Sequence, residues 1–362
     1  MMKRFKGMDK ASRDTLITYA LIIVAYAIMQ ALLSLHAISS SMVGLLVPIC
    51  AYISLSISLN LVVGISGELS LGHAGFMSVG AFTGLVAAQV LAPAIPFGPL
   101  RLLVSMVIAG IFAAVAGVLV GIPVMRLQGD YLAIVTLAFG EIIKNLLNNL
   151  YVGYDGALHF SMKDVASLGM NGGKVLINGP QGAVGITELS TFTAGFLLVL
   201  FTLFVVTNLV NSRSGRAIMA VRDNRIAAES VGIDTTKYRL MAFVVAAALA
   251  GMAGALYAMN FSSIVPKKFD FNTSILILVF VVLGGMGNIR GGIIAAALLT
   301  ILPEKLRFIG DYRMLIYAIV LIAVMLFSNN EQVRMAVDSM KSRFARMRDD
   351  DVIDDAAEGG EA

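Results

Sequence analysis

The chain has 362 residues, of which 58% are hydrophobic and only 14% are charged, and its formal net charge is +4. Soluble domains carry about 25% charged residues, so this composition excludes an ordinary soluble domain and indicates a polytopic membrane protein. The single cysteine, Cys50, excludes a disulfide framework and a cysteine-based metal site within the chain.

A basic stretch, residues 1–15, opens the chain and is followed by an apolar segment, residues 16–35. This pair resembles a signal peptide, but the apolar segment is too long for a signal core and lacks a clear small-residue cleavage site. We therefore predict a basic cytoplasmic N-terminus and an uncleaved first membrane helix.

Further apolar segments recur along the chain. A helix needs about 20 apolar residues to cross the hydrocarbon core, and ten segments approach that length, although the ninth is short. The sequence predicts an all-α transmembrane bundle of eight to ten spans within residues 16–327. The segments are residues 16–35, 42–63, 72–91, 102–125, 131–150, 191–210, 240–259, 273–289, 291–302 and 314–327.

The stretch GISGELSLGHAGFMSVGAF, from Gly64 to Phe82, places a glutamate, a histidine and glycines in a very apolar region. Charged groups within the membrane cost at least ~2.5–3.5 kcal/mol each and normally face a cavity or a partner. One interpretation is a translocation path; the alternatives are a buried hydrogen-bonded network and positions near the membrane surface. The candidate path residues are Asn60, Gly64, Gly67, Glu68, Gly72, His73, Glu141, Gly284 and Gly287.

The glycines of this stretch lie on no single helical face, which favours a broken or kinked helix. A shift of about 220 residues aligns VVGISGELSLG at residues 62–72 with VLGGMGNIRGG at residues 282–292. This weak internal repeat predicts glycine-broken helices at both places. Chance similarity in a glycine-rich chain is the alternative, and the sequence leaves the orientation of the repeat open.

Two polar stretches separate the apolar segments. Residues 151–190 are rich in glycine and asparagine and are predicted to form an external loop, whereas residues 211–239 are basic. Lysine and arginine collect on the cytoplasmic side of membrane proteins. With ten spans, the basic clusters at residues 3–13, 213–239 and 334–348 share that side, so we predict that both termini are cytoplasmic.

The basic stretch is predicted to contain a short helix. Asp223 is a suitable cap for a helix that begins at Asn224, and Gly232 can end it in the left-handed conformation. Eight residues make a rod about 12 Å long, too short to cross a membrane. The small side chains of Ala227 and Ala228 leave a flat surface that suits a groove in another protein; a solvated basic loop is the alternative.

The end of the chain changes character twice. Apolar residues recur at gaps of four and three within residues 328–348, which predicts an amphipathic helix along the inner surface of the lipid membrane. Residues 349–362 are acidic and are predicted to be disordered.

Two enzyme interpretations fail on their motifs. GISG at Gly64–Gly67 has the form of an intramembrane serine protease motif, but such a serine needs a base within reach, and His73 lies on the same segment. GMNGGKV near Lys174 lacks the first glycine and the Ser/Thr of a phosphate-binding loop. We predict no catalytic residues, no metal, no cofactor and no nucleic-acid partner; any ATP is hydrolysed by another chain.

Five motifs occur in order between residues 58 and 327: SLNLVVGISGELSLGHAGFMSVGAF, GDYLAIVTLAFGEII, NGPQG, GRAIMAVRDNRIAAESVGI and VVLGGMGNIRGG. Together they resemble the LivM-type permease family of branched-chain amino acid ABC transporters. AAESVG also resembles the EAA-x-x-x-G loop that docks into the ATPase subunit, with Ile226 where the general pattern has glutamate. Residues 153–175 form a longer stretch than the family pattern leads us to expect.

The resemblance implies a non-catalytic permease subunit for leucine, isoleucine or valine in a bacterial inner membrane. It implies a second permease of the LivH type, two ATPase subunits and a periplasmic binding protein as partners. It places Gly215, Arg222, Asp223, Asn224, Ala227, Ala228 and Gly232 in the ATPase-coupling loop.

Two alternatives stay open on the sequence. Related permeases for urea, other amides or other amino acids share much of the pattern. An ion-driven secondary transporter would instead use Glu68, His73 and Glu141 as a proton relay and would have no need of a docking helix.

Overall fold

The computed structural model describes residues 10–35, 39–127, 129–170 and 173–329. Most of the predicted basic N-terminus, nearly all of the amphipathic segment at 328–348 and the acidic tail at 349–362 lie outside the described residues. The helices are α1 (Lys10–Ser34), α2 (Ser40–Asn60), α3 (His73–Val90), α4 (Gly98–Val124), α5 (Asp130–Asn148), α6 (Phe192–Asn211), α7 (Arg213–Asp223), α8 (Arg225–Ser230), α9 (Thr235–Ala258), α10 (Phe271–Gly284), α11 (Ile289–Lys305) and α12 (Arg313–Asn329).

Six helices in the described part of the chain are long and apolar enough to cross a membrane, and Phe271–Gly284 is a shorter apolar helix. This confirms the predicted polytopic helical bundle. The predicted segment at 273–289 corresponds to the 14-residue helix α10, which already ends at Gly284. The six are Leu16–Ser34, Ser41–Ile65, His73–Val90, Gly98–Val124, Phe192–Asn211 and Thr235–Ala258.

The described residues up to Ile301 form one compact unit, and those from Leu302 onward form a second. The core of the first unit lies among α2, α3, α4 and α9, where small side chains let the helices approach closely. Gly117 packs against Ala247, and Gly84 packs against Ala255. The second unit contains the last residues of α11, the 3₁₀ turn Leu306–Tyr312 and α12.

Residues 151–184, predicted as a loop, form short strands at one end of the first unit. β1 (Tyr151–Tyr154) pairs antiparallel with β2 (Leu158–Ser161) and with β3 (Lys174–Asn178). β4 (Ala183–Val184) pairs antiparallel with β5 (Ser263–Ile264), with Ala183 opposite Ile264. We call this end of the unit the sheet end.

The opposite end carries α7 and α8, and we call it the α8 end. The 20-residue helix α6 begins just after the strands and runs to Asn211, which precedes α7. At 1.5 Å per residue it separates the two ends by about 30 Å, the thickness of a bilayer core.

The second span is broken as the sequence predicted. α2 passes into a π-helical turn at Leu61–Ile65, and residues 66–72 are not helical. A π-helical turn leaves backbone carbonyls without regular helical partners. The chain then turns back into the bundle and starts α3.

The start of α3 lies well inside the bundle. Gly80 packs against Gly251 and Gly84 against Ala255, so α3 and α9 run in the same direction. At 1.5 Å per residue, Gly251 lies about 24 Å along α9 and Gly80 about 10 Å along α3. The first turn of α3 therefore lies about 14 Å in from the start of α9, close to the middle of a 24-residue span.

The helix α10 begins beside α3 but runs the other way. Ala74 N donates to Ser274 Oγ at 3.2 Å, which places the first turns of α3 and α10 together. Tyr52 contacts Phe280, and Asn60 contacts Gly287, so α10 runs parallel to α2 toward the α8 end. The second predicted break, Gly284–Gly287, thus meets the first break in space.

Candidate functional site

The helices α7 and α8 form a compact corner after α6. Ser212 Oγ accepts from Gly215 N at 3.1 Å, which caps α7. Asn224 has an extended backbone and its Oδ1 accepts from Ala227 N at 3.0 Å, which caps α8. The predicted boundary was wrong by one residue, because Asp223 ends α7 and its carboxylate is engaged by Arg222.

The six-residue helix α8 is fixed to the start of α9. Glu229 Oε1 accepts from Arg225 Nε and from Thr235 Oγ1, each at 2.9 Å. The hydrogen bond from Arg225, and then that from Thr235, holds the pKa of the Glu229 carboxyl below its usual value. Gly232 follows α8 with φ +84°, a backbone conformation that favours glycine.

The exposed surface of α8 differs from the one predicted. Ala228 is buried against the rest of the corner, whereas Ala227 is exposed, and Ile226 and Val231 expose most of their side chains. The sequence analysis missed Ile226 and Val231 as surface residues. Their signal was two large apolar side chains within a short polar segment.

Arg222 connects this corner to the broken span. Its Nη1 donates to the carbonyl oxygen of Gly64 at 3.2 Å, and its side chain packs against Gly67. This carbonyl belongs to the last turn before the helix is interrupted. The last carbonyl oxygens of a helix have no N–H partner within the helix, so the Gly64 oxygen can accept from Arg222. The predicted loop residue Arg222 and the predicted break residues Gly64 and Gly67 are therefore in direct contact.

Gly64 also contacts the second break. Asn60 Oδ1 accepts from Gly287 N at 2.8 Å, and Ser56 Oγ donates to Gly292 O at 3.1 Å. A Cβ atom built on Gly64 would collide with Asn60 Oδ1 and with the backbone nitrogen of Gly287. The two glycine motifs of the internal repeat thus pack against each other with no room for a side chain.

Gly64→Ala is therefore expected to destabilise the protein by about 1–3 kcal/mol, the usual cost of overpacking. The free energy of unfolding in detergent measures this loss. Gly44→Ala in the same span is the matched control, because a Cβ atom there meets nothing within 4 Å. Equal stability of the two variants would contradict the close contact of the two breaks.

Glu68 pairs with Arg239, a residue that the sequence analysis did not select. Arg239 exposes 4% of its side chain and Glu68 16%. Arg239 also donates to Met125 O at 3.1 Å and to Leu127 O at 3.3 Å, which satisfies carbonyls at the end of α4. Glu68 thus lies at the α8 end of the bundle in an ion pair, not in the middle of a span.

The pair lines a polar cleft of about 200 Å³ at the α8 end. The cleft brings together the residues after the π-helical turn, the last residues of α7 and the start of α9. Its lining is Ser66, Gly67, Glu68, Gly129, Val221, Arg222, Arg225 and Arg239.

The remaining predicted path residues lie apart from this cleft. His73 Nε2 is 2.8 Å from Ser58 Oγ in the core, and Gly72 packs against the backbone of Thr136. Glu141 pairs with Lys144 on α5. No hydrogen bond or ion pair in the described ranges joins Glu68, His73 and Glu141 to one another.

Within the part of the chain that the structure describes, no group of three or more His, Cys, Asp or Glu side chains could hold a metal ion.

Comparison with known proteins places the chain among membrane permeases. A family model described as the permease component of branched-chain amino acid transport systems matches residues 41–325. Proteins described as the high-affinity branched-chain amino acid transport system permease protein LivM, from Salmonella typhimurium and from Escherichia coli, are each 37% identical over 238 residues, which is 63% of this chain and 54% of theirs.

A protein from Methanocaldococcus jannaschii, described as a probable branched-chain amino acid transport permease protein LivM, is 26% identical over 214 residues. That match covers 58% of this chain and 55% of the archaeal protein. The chain spans about half the length of the curated relatives it matches. No solved structure gives a significant match.

Proposed function

Because the chain belongs to the family of permease components of branched-chain amino acid transport systems, we propose that it is the permease subunit of an ABC importer for leucine, isoleucine and valine. The observation that carries the proposal is the contact of Arg222 with Gly64 O. Through it, a displacement of the α7–α8 corner reaches the broken span α2 and, through Gly64, the second break at Gly287.

The ends of the bundle suit two different partners. In the proposal, two ATP-hydrolysing subunits bind at the α8 end, and a periplasmic binding protein delivers the amino acid at the sheet end. The α8 end and both termini then lie in the cytoplasm of a bacterial cell, and a second permease subunit of the LivH type completes the channel. The chain itself hydrolyses no ATP.

The α8 corner supplies the docking surface for the ATP-hydrolysing subunit. Ile226 and Val231 expose apolar side chains on a helix that the Glu229 contacts fix to α9. A short rigid helix with an apolar tip transmits a push better than a mobile loop, because no conformational freedom absorbs the displacement. Gly215, Asp223, Asn224 and Gly232 serve this corner by shaping its turns and caps.

The path residues divide into two groups in this proposal. Asn60, Gly64, Gly67, Gly72, Gly284 and Gly287 form the yielding contacts of the two broken helices, with Glu68 locked to Arg239 and His73 hydrogen-bonded to Ser58. Glu141 pairs with Lys144 on α5, away from both groups. A proton relay is disfavoured because the three ionisable residues have separate partners.

Reconstitution tests the class of transporter directly. Liposomes that contain the chain, a second permease, the ATP-hydrolysing subunits and the binding protein are expected to accumulate leucine only when ATP is supplied. Isoleucine and valine should compete with leucine, and urea and acetamide should not. A non-hydrolysable ATP analogue is the control.

A second experiment tests the alternative of an ion-driven transporter and uses the chain alone in liposomes with a proton gradient. Accumulation of leucine there, without the other subunits, would overturn the proposal in favour of an ion-driven transporter. Competition by urea in the complete system would retain the mechanism but contradict the substrate.

A further inference from the structure

The helix α5 presents a face that the rest of the described chain leaves uncovered. Tyr131, Ile134, Ala138, Ile142 and Asn145 recur at gaps of three and four and are exposed. That spacing places them on one side of the helix. Glu141 belongs to the same stripe, and 34% of its side chain is exposed.

The depth of Glu141 follows from the packing of the residue before it. Gly140 lies against Gly72 and Gly75, at the first turn of α3. That turn lies about 14 Å in from the start of α9. Glu141 itself is about 16 Å from the start of the 19-residue helix α5. Both measures place Glu141 about midway between the α8 end and the sheet end of the first unit.

Lys144, one turn further along α5, forms an ion pair with Glu141. Two paired charges remain strongly polar, and ionisable groups at this depth face protein or water, not lipid tails. The exposed face of α5 therefore does not suit a lipid contact.

The helix α4 shows what a lipid-facing surface looks like in the same molecule. After Arg101 in the first turn, its exposed large side chains are all apolar, and no ionisable residue interrupts them. They are Leu103, Val107, Ile111, Phe112, Val115, Val118, Leu119 and Ile122. Both faces are exposed, but the face of α4 is apolar whereas the face of α5 includes the ionisable side chain of Glu141.

We propose that the exposed face of α5, from Tyr131 to Asn145, is the surface on which the second membrane-spanning permease subunit docks, with Glu141 at the edge of this face and paired with the more buried Lys144. The proposal rests on the proposed function and assigns the partner a place. The occupant covers polar groups at mid-depth, so it carries hydrogen-bonding side chains there. A lipid chain has none, and a partner confined to either surface would not reach Glu141.

Photo-crosslinking tests the occupant. A benzophenone amino acid is placed at Ile134 or Ile142 in α5, and at Ile111 or Leu119 in α4 as matched controls, with all subunits co-expressed in the membrane. We expect light to join the α5 positions to another membrane-spanning permease chain, identified by mass spectrometry. The α4 positions should yield lipid adducts. Lipid adducts alone from α5, at the level of α4, would overturn the proposal.

A charge substitution gives a second readout. Glu141→Lys places two like charges next to each other, and we expect the second permease to co-purify at least tenfold less. The swap Glu141→Lys with Lys144→Glu restores an ion pair and is expected to recover most of the co-purification. Unchanged co-purification with Glu141→Lys would count against the docking face.

Leucine uptake and ATPase co-purification, measured in the same membranes, separate the two proposals. Normal uptake together with lipid-only adducts at α5 means that the docking face is wrong and the permease function stands. If α5 crosslinks to the permease but leucine uptake does not depend on ATP, the docking face stands and the proposed importer function is wrong.

Discussion

Arg239→Ala is expected to destabilise the protein by about 3–5 kcal/mol, the usual loss when one partner of a buried ion pair is removed. The substitution leaves the carboxylate of Glu68 without its partner in a site where Arg239 is only 4% exposed. It also removes the donors to Met125 O and Leu127 O, at the end of α4. The free energy of unfolding in detergent, followed by helical circular dichroism, measures the effect.

Two further variants separate charge from packing. Glu68→Gln keeps the shape of the side chain and should cost less than Arg239→Ala, because no uncompensated carboxylate remains. Arg216→Ala removes an exposed arginine of α7 and is expected to stay within about 0.5 kcal/mol. A loss below 1 kcal/mol for Arg239→Ala would show that water screens the pair, contrary to its burial.

Gly232→Pro and Ala228→Asp are each expected to reduce ATP-dependent leucine uptake at least tenfold while membrane insertion is retained. Proline fixes φ near −65°, whereas Gly232 has φ +84° and its N–H donates to Glu229 O. An aspartate at position 228 would place a charge in a buried site. Both changes deform α8 and leave the spans untouched.

Arg222→Lys tests transmission without deforming the corner. A lysine ammonium lacks the planar, forked guanidinium, so it cannot hold Gly64 O and the Asp223 carboxylate in the same way as Arg222 does. We expect the ATPase rate of the complex to stay within about twofold and uptake to fall about tenfold. Arg216→Lys is the matched control. Normal uptake in Gly232→Pro, Ala228→Asp and Arg222→Lys would remove the basis for a coupling role of this corner.

The bundle and its two breaks could be predicted from the sequence because both leave local signals. Long apolar segments predict spans, and glycines off a single helical face predict interruptions such as the one at residues 61–72. The repeat of this pattern at residues 282–292 was detectable for the same reason. The structure adds that the two interruptions touch.

The ion pair of Glu68 could not be predicted, because its partner lies far away in the chain. Arg239 follows a polar segment and precedes an apolar one, so its local pattern is that of an ordinary span end. Only the return of residues 66–72 into the bundle brings Glu68 beside it. The sequence alone left three positions open for Glu68: a translocation path, a buried hydrogen-bonded network and the region near the membrane surface.

The cap of α8 was misplaced for a different reason. Aspartate and asparagine are both good caps, and Asp223 and Asn224 are adjacent. The choice depends on Arg222, which engages the carboxylate of Asp223 and leaves the amide of Asn224 to accept from Ala227 N.

The strands β1, β2 and β3 could not be predicted, because they are short and lack a long alternating pattern. They depend on pairing with one another across the loop.

The segment that contains α10 is held at both of its ends, and the two-residue pairing of β4 with β5 holds the first of them. Ile264 of β5 pairs with Ala183 of β4 at the sheet end. The 3₁₀ turn Pro266–Phe269 follows and leads to Asp270, the cap of α10. At its other end α10 leads to Gly287, whose backbone N–H donates a hydrogen bond to Asn60 Oδ1 next to the π-helical turn. The segment from β5 through the 14-residue helix α10 to Gly287 thus connects the sheet end to the break next to α2. A displacement at either end of this segment therefore reaches the other end along α10, and the hydrogen bond from Ala74 N to Ser274 Oγ passes part of it to α3.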